Sequence, residues 1–240
     1  MQTRTQEILR AVITEYAKTG TPISSAELFK KYGFDAKPAT IRAELNRLSE
    51  GGYLKQAHTS GGRIPTDKGY RFFINHISEN IPRENHKQNN TLRALEEVFL
   101  KQSYDDFFDN FTRVFHVAGV GYDIHGEVYK SSLQSFFDLL VQEEDITDLS
   151  MAQEIIGDFE AMDERMHLLM ETLANSRSEG PEVFIGKSPI TKSPHLSVIA
   201  DEFPIAGKKF ILAMIGPKRM DYEGNIQFFI HFKNIFHGQS

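Results

Sequence analysis

The chain has 240 residues, which is enough for two ordinary domains or for one large one. Its 40% hydrophobic and 25% charged residues are typical of a soluble globular protein, and no apolar run approaches the roughly 20 residues that span a bilayer. The absence of cysteine excludes disulfides and thiolate metal sites. An N-terminus without the apolar core of a secretion signal, in a chain without cysteine, fits a cytoplasmic protein.

Charge is distributed unevenly along the chain. Residues 1–82 hold 12 Lys and Arg against 8 Asp and Glu, a net charge of +4, whereas residues 83–240 hold 15 against 25, a net charge of −10. A basic segment joined to an acidic body suits a phosphate-binding domain attached to a domain with another task. Ordinary variation in surface charge gives the same asymmetry, so charge alone leaves both interpretations open.

Hydrophobic periodicity predicts two helices before residue 34. The first covers residues 4–18, with apolar side chains recurring on one face. The second begins near Ser24, which has the spacing of a capping box with Glu27. The buried side of this second helix is expected to hold Leu28, Phe29 and Tyr32.

A third helix is predicted to begin at Pro38, where the missing N–H of proline costs nothing. Ile41, Leu45 and Leu48 recur at helical spacing and predict its buried stripe. The remaining surface carries small and polar side chains that can approach base edges and phosphates. With Lys37 at the helix start, these are Ala39, Thr40, Arg42, Ala43, Asn46 and Arg47. A solvated helix face has a similar mixture, so the following segment must decide between the two interpretations.

That following segment predicts a β-hairpin and then a fourth helix from Thr66. A strand at residues 53–58 is followed by glycine turn chemistry at residues 59–62 and by a short edge strand at residues 63–65. Such a hairpin can place His58, Thr59 and Arg63 against phosphates or in the minor groove. A basic helix followed by such a hairpin is typical of a winged helix-turn-helix that reads duplex DNA. We therefore predict a DNA-binding domain at residues 1–80.

The rest of the chain predicts a polar linker at residues 81–90 and an α+β domain at residues 91–240. Helices are expected at residues 91–100, 103–117 and 225–236, and strands at residues 183–185, 196–203 and 210–215.

Residues 150–175 predict one long helix with a heptad seam. Its apolar positions step by 4, 3, 4, 3 and 4 residues, and such a seam must pack against another helix. These positions are Ile155, Phe159, Met162, Met166, Leu169 and Leu173. Two partners are equally open: the phenylalanine-rich helix at residues 103–117, or a second copy of the chain, which would make the six residues a dimerisation surface.

Two segments resemble a known family. Pro38-Ala39-Thr40-Ile41-Arg42, Gly52-Tyr53-Leu54 and residues 58–72 (HTSGGRIPTDKGYRF) resemble the heat-inducible transcription repressor HrcA. Residues 215–222 (IGPKRMDY) resemble the C-terminal motif of that family. Two motifs in the right order make the resemblance specific.

The resemblance implies a dimeric repressor of chaperone genes that binds an inverted-repeat operator called CIRCE. It also implies assistance from the GroE chaperonin and a GAF-like body with a dimerising insertion. By this resemblance, Thr40, Arg42 and Asn46 are expected to read bases. His58, Thr59, Ser60 and Arg63 of the hairpin, which is the wing of such a domain, are expected to contact the DNA as well.

Several positions depart from the family pattern. Lys37 stands where the family usually has a serine N-cap, Ala43 where it usually has asparagine, and Gly61 precedes Gly62 where Ala-Gly is common. The chain is also shorter than the usual member, and the loss is expected between residues 121 and 151. The body is therefore predicted to be a reduced GAF-like domain.

The sequence predicts no enzyme chemistry, metal site or cofactor. Gly186-Lys187-Ser188 resembles the end of a phosphate-binding loop, but Pro181 replaces its required glycine and Pro189 follows where a helix must begin. No two histidines have the spacing of a helical metal site. Acidic runs such as Glu143-Glu144-Asp145 are more typical of solvated loops than of catalytic pairs.

Two alternatives stay open beside a DNA-binding repressor. One is another winged-helix regulator with a small ligand held by the C-terminal sheet, and the other is a protein-interaction adaptor. The repressor interpretation assigns separate roles to two residues. Arg63→Ala should weaken binding to all sequences alike, whereas Asn46→Ala should relax base preference.

Overall fold

The computed structural model describes residues 3–57, 61–80, 90–123, 125–178, 180–205 and 208–237. These residues form ten helices and two antiparallel sheets, which confirms the predicted α+β class. The chain divides into two compact units, Met1–Asn80 and Ile81–Ser240. The candidate residues His58, Thr59 and Ser60, residues 81–89 of the predicted linker at 81–90, and residues 206–207 lie outside the described residues.

The described residues of the first unit form four helices and a two-stranded sheet. In chain order these are α1 (Thr3–Thr19), α2 (Ser25–Tyr32), α3 (Pro38–Glu50), β1 (Leu54–Gln56), β2 (Arg63–Pro65) and α4 (Asp67–Asn80). The two strands are antiparallel, and Leu54 lies opposite Pro65. Ile23, just before α2, adds an isolated antiparallel bridge to Arg63.

Local sequence signals account for the start of α2 and the buried side of α3. Ser24 Oγ accepts a hydrogen bond from the Glu27 backbone N–H at 3.2 Å, while the Glu27 carboxylate accepts from the Ser24 N–H at 2.8 Å. The predicted capping box is therefore confirmed. The predicted stripe of α3 is confirmed as well, since Ile41, Leu45 and Leu48 are 0%, 4% and 1% exposed.

The predicted buried side of α2 is wrong for two of its three residues. Leu28 is buried, but Phe29 and Tyr32 are 44% and 38% exposed. The helix has only eight residues, and the Tyr32 hydroxyl donates to the Glu15 carboxylate of α1 at 3.0 Å. This polar contact holds the Tyr32 ring at the rim of the core. Partial burial, together with the hydrogen bond to Glu15, raises the pKa of the phenol to about 12.

Two residues of the segment that resembles HrcA at positions 58–72, Thr66 and Gly69, anchor the start of α4. The Thr66 hydroxyl donates to the carbonyl oxygen of Gly52 at 2.7 Å, at the end of α3. Gly69 in the first turn of α4 lies against the Tyr53 backbone, and a Cβ at this position would collide with the Tyr53 carbonyl oxygen. These residues therefore fix the hairpin between two helices.

The second unit contains a five-stranded sheet and six helices among its described residues. The strands are β3 (Ala118–Tyr122), β4 (Val128–Lys130), β5 (Glu182–Ile185), β6 (Leu196–Ile205) and β7 (Lys208–Pro217). The helices are α5 (Asn90–Leu100), α6 (Tyr104–Phe115), α7 (Leu133–Gln142), α8 (Leu149–Glu160), α9 (Met162–Ala174) and α10 (Tyr222–His237). The strand order is β4-β3-β7-β6-β5, and all neighbours are antiparallel.

One sequence expectation for this unit needs correction. The long helix expected at residues 150–175 is two helices, because α8 ends at Glu160 and α9 begins at Met162. The segment between residues 121 and 151, where a loss relative to the family is expected, holds β4 and α7 directly after β3.

Helices cover both faces of the sheet. Ala118 and Val120 of β3 belong to the cluster that α7, α8 and α9 form on one face. Gly119, between them, points to the other face, where a Cβ would lie 2.7 Å from Phe111 of α6. The phenylalanine-rich helix therefore packs on the face opposite to α8 and α9.

The six heptad positions lie in the core of the second unit. They are Ile155, Phe159, Met162, Met166, Leu169 and Leu173, and none is more than 7% exposed. They pack against the sheet, so the expectation that they pair with the phenylalanine-rich helix is wrong. Their burial also corrects the expectation of an open dimerisation surface, because the folded chain itself occupies the seam.

Gly157 lies on the exposed side of α8, and nothing lies within 4 Å of the place that a Cβ would occupy. Gly157→Ala is expected to stabilise the protein by about 0.5 to 1 kcal/mol, because alanine has less backbone freedom to lose on folding. Chemical denaturation followed by circular dichroism measures this change. A lower unfolding midpoint for the variant would contradict the prediction.

No helix in the described part of the chain is both long and apolar enough to cross a bilayer.

Candidate nucleic-acid interface

The outer face of α3 carries most of the predicted DNA-binding residues. Ile41, Leu45 and Leu48 turn inward, so the opposite arc of the helix is free of the core. Exposed on this helix or at its N-cap are Lys37, Ala39, Arg42, Ala43, Asn46 and Arg47, and Thr40 is half-buried. The small side chains of the first turns let other molecules approach the helix backbone closely.

Arg63 of β2 reaches across to this face of α3. Its Nη2 donates to Asn46 Oδ1 at 2.8 Å, and its Nε donates to Ser49 Oγ at 3.0 Å. The Ser49 hydroxyl in turn donates to the Leu45 carbonyl oxygen at 3.0 Å. The structure thus joins one predicted hairpin residue and one predicted helix residue in a single contact.

The backbone of Arg63 is fixed as firmly as its side chain. Its N–H donates to the Ile23 carbonyl oxygen at 2.8 Å, and its carbonyl oxygen accepts from the Ile23 N–H at 3.0 Å. Gly62 permits this approach, since a Cβ there would lie 2.6 Å from backbone atoms of Pro22 and Ile23. The hairpin is therefore held against both α2 and α3.

A groove of about 390 Å³ opens between these elements. Its walls include Arg42, Asn46, Gln56, Gly62 and Arg63. Gln56 of β1 was not among the predicted site residues, although it lies in the strand that enters the hairpin. The groove is flanked by hydrogen-bonding groups and cations, which suits an anionic polar ligand.

The cations of this surface differ in whether a carboxylate partner offsets their charge. Arg47 Nη1 lies 3.2 Å from the carboxylate of Glu44, which is buried and also accepts from the Thr5 hydroxyl at 2.8 Å. Within the described residues, Lys37, Arg42 and Lys55 form no ion pair. The last three cations therefore contribute more positive potential to the surface than Arg47 does.

The C-terminal motif forms a buried ion-pair cluster in the second unit. Arg219 is 9% exposed, and its Nε and Nη2 lie 2.6 and 2.9 Å from the two carboxylate oxygens of Asp145. Its Nη2 also donates to Glu143 Oε2 at 2.8 Å. Burial raises the pKa of the Asp145 carboxyl, although the Arg219 guanidinium acts in the opposite direction. Residues 143–145 lie in the loop after α7, and Glu143 and Asp145 of this loop are ion-paired with Arg219 and only partly exposed.

The segment Gly186-Lys187-Ser188 does not have the geometry of a phosphate-binding loop. It follows β5, and the next regular element is β6, so no helix begins after Ser188. Instead, the Ser188 N–H donates to the Thr191 carbonyl oxygen at 2.9 Å in a local turn. In the part of the chain that the structure describes, no three His, Asp or Glu side chains are grouped as metal ligands would be.

The match to a family model defines the class of protein. Residues 70–226, more than half of the chain, match the model described as the HrcA protein C terminal domain. The chain therefore belongs to the HrcA family.

Curated relatives agree with this assignment, and a solved structure shares the fold. The chain is 50% identical over 74 residues to the heat-inducible transcription repressor HrcA of Natranaerobius thermophilus, which covers 31% of this chain and 22% of that protein. It is 51% identical over 81 residues to the repressor of the same name from Caldanaerobacter subterraneus subsp. tengcongensis, covering 34% and 24%. The match thus spans less than a quarter of each relative. A crystal structure titled as that of a hypothetical protein shares the fold, with a TM-score of 0.72, 16% identity and coverage of 99% and 98%.

Proposed function

We propose that the chain is a DNA-binding transcription repressor of heat-shock genes that acts in the cytoplasm. The observation that carries the proposal is the contact of Arg63 with Asn46, because it joins the hairpin and the exposed face of α3 into one polar, cationic surface. Membership of a family whose curated relatives are heat-inducible transcription repressors supports it.

In this proposal residues 1–80 form a winged helix-turn-helix. Three helices, an antiparallel hairpin and the bridge of Ile23 to Arg63 support this assignment. The third helix, α3, enters the major groove, and Arg42 and Asn46 face base edges there. Lys37, Arg42 and Lys55 neutralise phosphates.

The second unit supplies regulation in this proposal. Residues 81–90 act as a linker, and residues 91–240 form a reduced GAF-like domain, which the antiparallel sheet with helices on both faces supports. The repressor acts as a homodimer, so that two copies of α3 read an inverted repeat with half-sites one helical turn of DNA, or a multiple of it, apart. The GroE chaperonin is its proposed partner protein. Because the heptad positions are buried, the dimer uses another surface.

A binding experiment tests the proposal. Duplexes that carry inverted repeats from upstream of chaperone genes are titrated with the protein at several salt concentrations, beside scrambled duplexes. We expect tighter binding to the inverted repeat, two protein chains per repeat, and affinity that falls as salt rises. Absence of binding to every duplex at low salt would contradict the proposal and favour an adaptor. Release of DNA by a small ligand, without an effect of chaperonin, would favour a ligand-controlled regulator.

Lys55→Ala tests the phosphate contacts. This lysine is exposed on β1 and has no ion-pair partner within the described residues. Its loss is expected to weaken binding to specific and scrambled duplexes by the same factor and to lower the slope of log K against log salt by about 1. Lys101→Ala, an exposed cation of the second unit, should leave the slope unchanged. An effect on one sequence alone would contradict the assigned role of Lys55.

A further inference from the structure

We propose that Arg63 is a positioning residue that fixes the side-chain amide of Asn46, and that Asn46 thereby reads guanine. This inference rests on the proposed DNA-binding function. It replaces the separate roles that the sequence predicted for the two residues, in which Arg63 gripped phosphate and Asn46 alone read bases.

The orientation of the Asn46 amide follows from the chemistry of its partner. A guanidinium group has five N–H donors and no acceptor. The Asn46 atom that lies 2.8 Å from Arg63 Nη2 must therefore be the carbonyl oxygen, Oδ1. The amide nitrogen, Nδ2, then points away from Arg63, and both of its N–H groups are presented together.

Arg63 is able to impose this orientation because it is itself held at several points. Its Nε donates to Ser49 Oγ at 3.0 Å, and its Nη1 donates to the Gly61 carbonyl oxygen at 3.4 Å. Its backbone forms two hydrogen bonds with Ile23. The guanidinium is thus fixed before any ligand binds, and rotation of the Asn46 amide would place its NH₂ group against a donor.

An amide held in this way distinguishes bases by their major-groove edges. Guanine presents two adjacent acceptors, O6 and N7, to which one nitrogen with two N–H groups can donate, as lysine does. The usual pairing of asparagine with adenine needs Oδ1 to accept from the adenine N6 amino group. In this protein Oδ1 faces Arg63, so guanine is favoured over adenine.

The experiment is a selection of bound duplexes from a random pool at low salt, followed by sequencing. Wild type and Asn46→Ala are compared first. The base position that wild type selects and Asn46→Ala does not select is the one that Asn46 reads. We expect guanine at this position, preferred over adenine by about tenfold. Replacing this guanine by 7-deazaguanine should weaken binding of wild type and leave Asn46→Ala unaffected.

Two variants separate positioning from charge and from folding. Arg63→Lys keeps the positive charge but lacks the planar fork that bonds Ser49 and Asn46 together, so it should retain general DNA affinity and lose the guanine preference. Asn46→Asp keeps a contact with Arg63 but presents only acceptor oxygen, so it should change the preferred base from guanine to cytosine, whose N4 amino group donates. Lys55→Ala should leave the base preference as in wild type.

The outcomes distinguish failure of the inference from failure of the proposed function. Adenine at the Asn46 position, an unchanged preference in Arg63→Lys, or the same selected bases for wild type and Asn46→Ala would each overturn the inference while DNA binding stands. Failure of wild type to retain any duplex from the pool would overturn the proposed function, and the inference with it.

Discussion

Replacing Asp158 with alanine is expected to lower the free energy of unfolding of the second unit by about 3 to 5 kcal/mol. Asp158 of α8 is 4% exposed, and its carboxylate accepts hydrogen bonds from the backbone N–H groups of Lys192 and Ser193 at 2.7 to 2.9 Å. It also pairs with Arg165 Nη1 of α9 at 2.7 Å. Alanine would leave the two N–H groups and the partly buried guanidinium without this acceptor.

Urea denaturation followed by far-UV circular dichroism measures this loss. Asp158→Asn keeps the shape and one acceptor oxygen but not the charge, so it should lose less stability than Asp158→Ala. The matched control is Asp163→Ala on α9, whose side chain is 50% exposed and pairs with Lys130. Exposed pairs contribute about 0 to 1 kcal/mol, so this control should change stability little. Equal losses for Asp158→Ala and Asp163→Ala would contradict the prediction.

Asp158 also shows why the segment at residues 186–193 could be excluded as a phosphate-binding loop from sequence, but not assigned a structure. The prolines rule out a helix after Ser188, which is a local argument. The organising group is a carboxylate 34 positions before Lys192 in the chain. No pattern of spacing links residues at that distance, so this contact required the fold.

Elements with strong local signals were predicted well. The capping box of Ser24 with Glu27 and Pro38 at the first turn of α3 each depend on neighbouring residues. Such preferences act before tertiary contacts form. The helices and strands of the first unit therefore agree with the sequence analysis.

Elements that depend on distant contacts were missed or misjudged. β3 has the sequence Ala-Gly-Val-Gly-Tyr, and glycine weakens any strand signal. Gly119 and Gly121 are required because Phe108 of α6 lies against both positions. The heptad pattern of α8 and α9 predicts one helix that packs against another helix. The structure has two helices, and both pack against one face of the sheet.

Part of the candidate site could likewise be predicted from local sequence, and part of it depended on the fold. The exposed residues of α3 followed from its apolar stripe, since a buried face determines the opposite one. The contact of Arg63 with Asn46, 17 residues apart, left no signal in the sequence. The sequence therefore indicated which residues surround the site, while the structure determined how two of them act together.

Gly62→Ala is expected to impair both the stability of the first unit and its base preference. The added Cβ would lie 2.6 Å from backbone atoms of Pro22 and Ile23, which cannot yield as a flexible side chain can. The hairpin must therefore move away from Ile23, at a cost of about 2 to 3 kcal/mol for overpacking and weakened hydrogen bonds. Because Arg63 is the next residue, the same shift would withdraw its guanidinium from Asn46.

Gly52→Ala provides the matched control within the same unit. Gly52 has a φ of +74°, and nothing lies within 4 Å of its missing Cβ, so alanine there causes backbone strain of about 1 kcal/mol without a collision. Both variants are assayed at a low temperature at which circular dichroism shows them folded, so that loss of folded protein does not imitate loss of binding. Gly62→Ala should lose guanine selection in the duplex pool, and Gly52→Ala should keep it. If Gly62→Ala retained wild-type selection, the hairpin would not be the element that sets the orientation of Asn46.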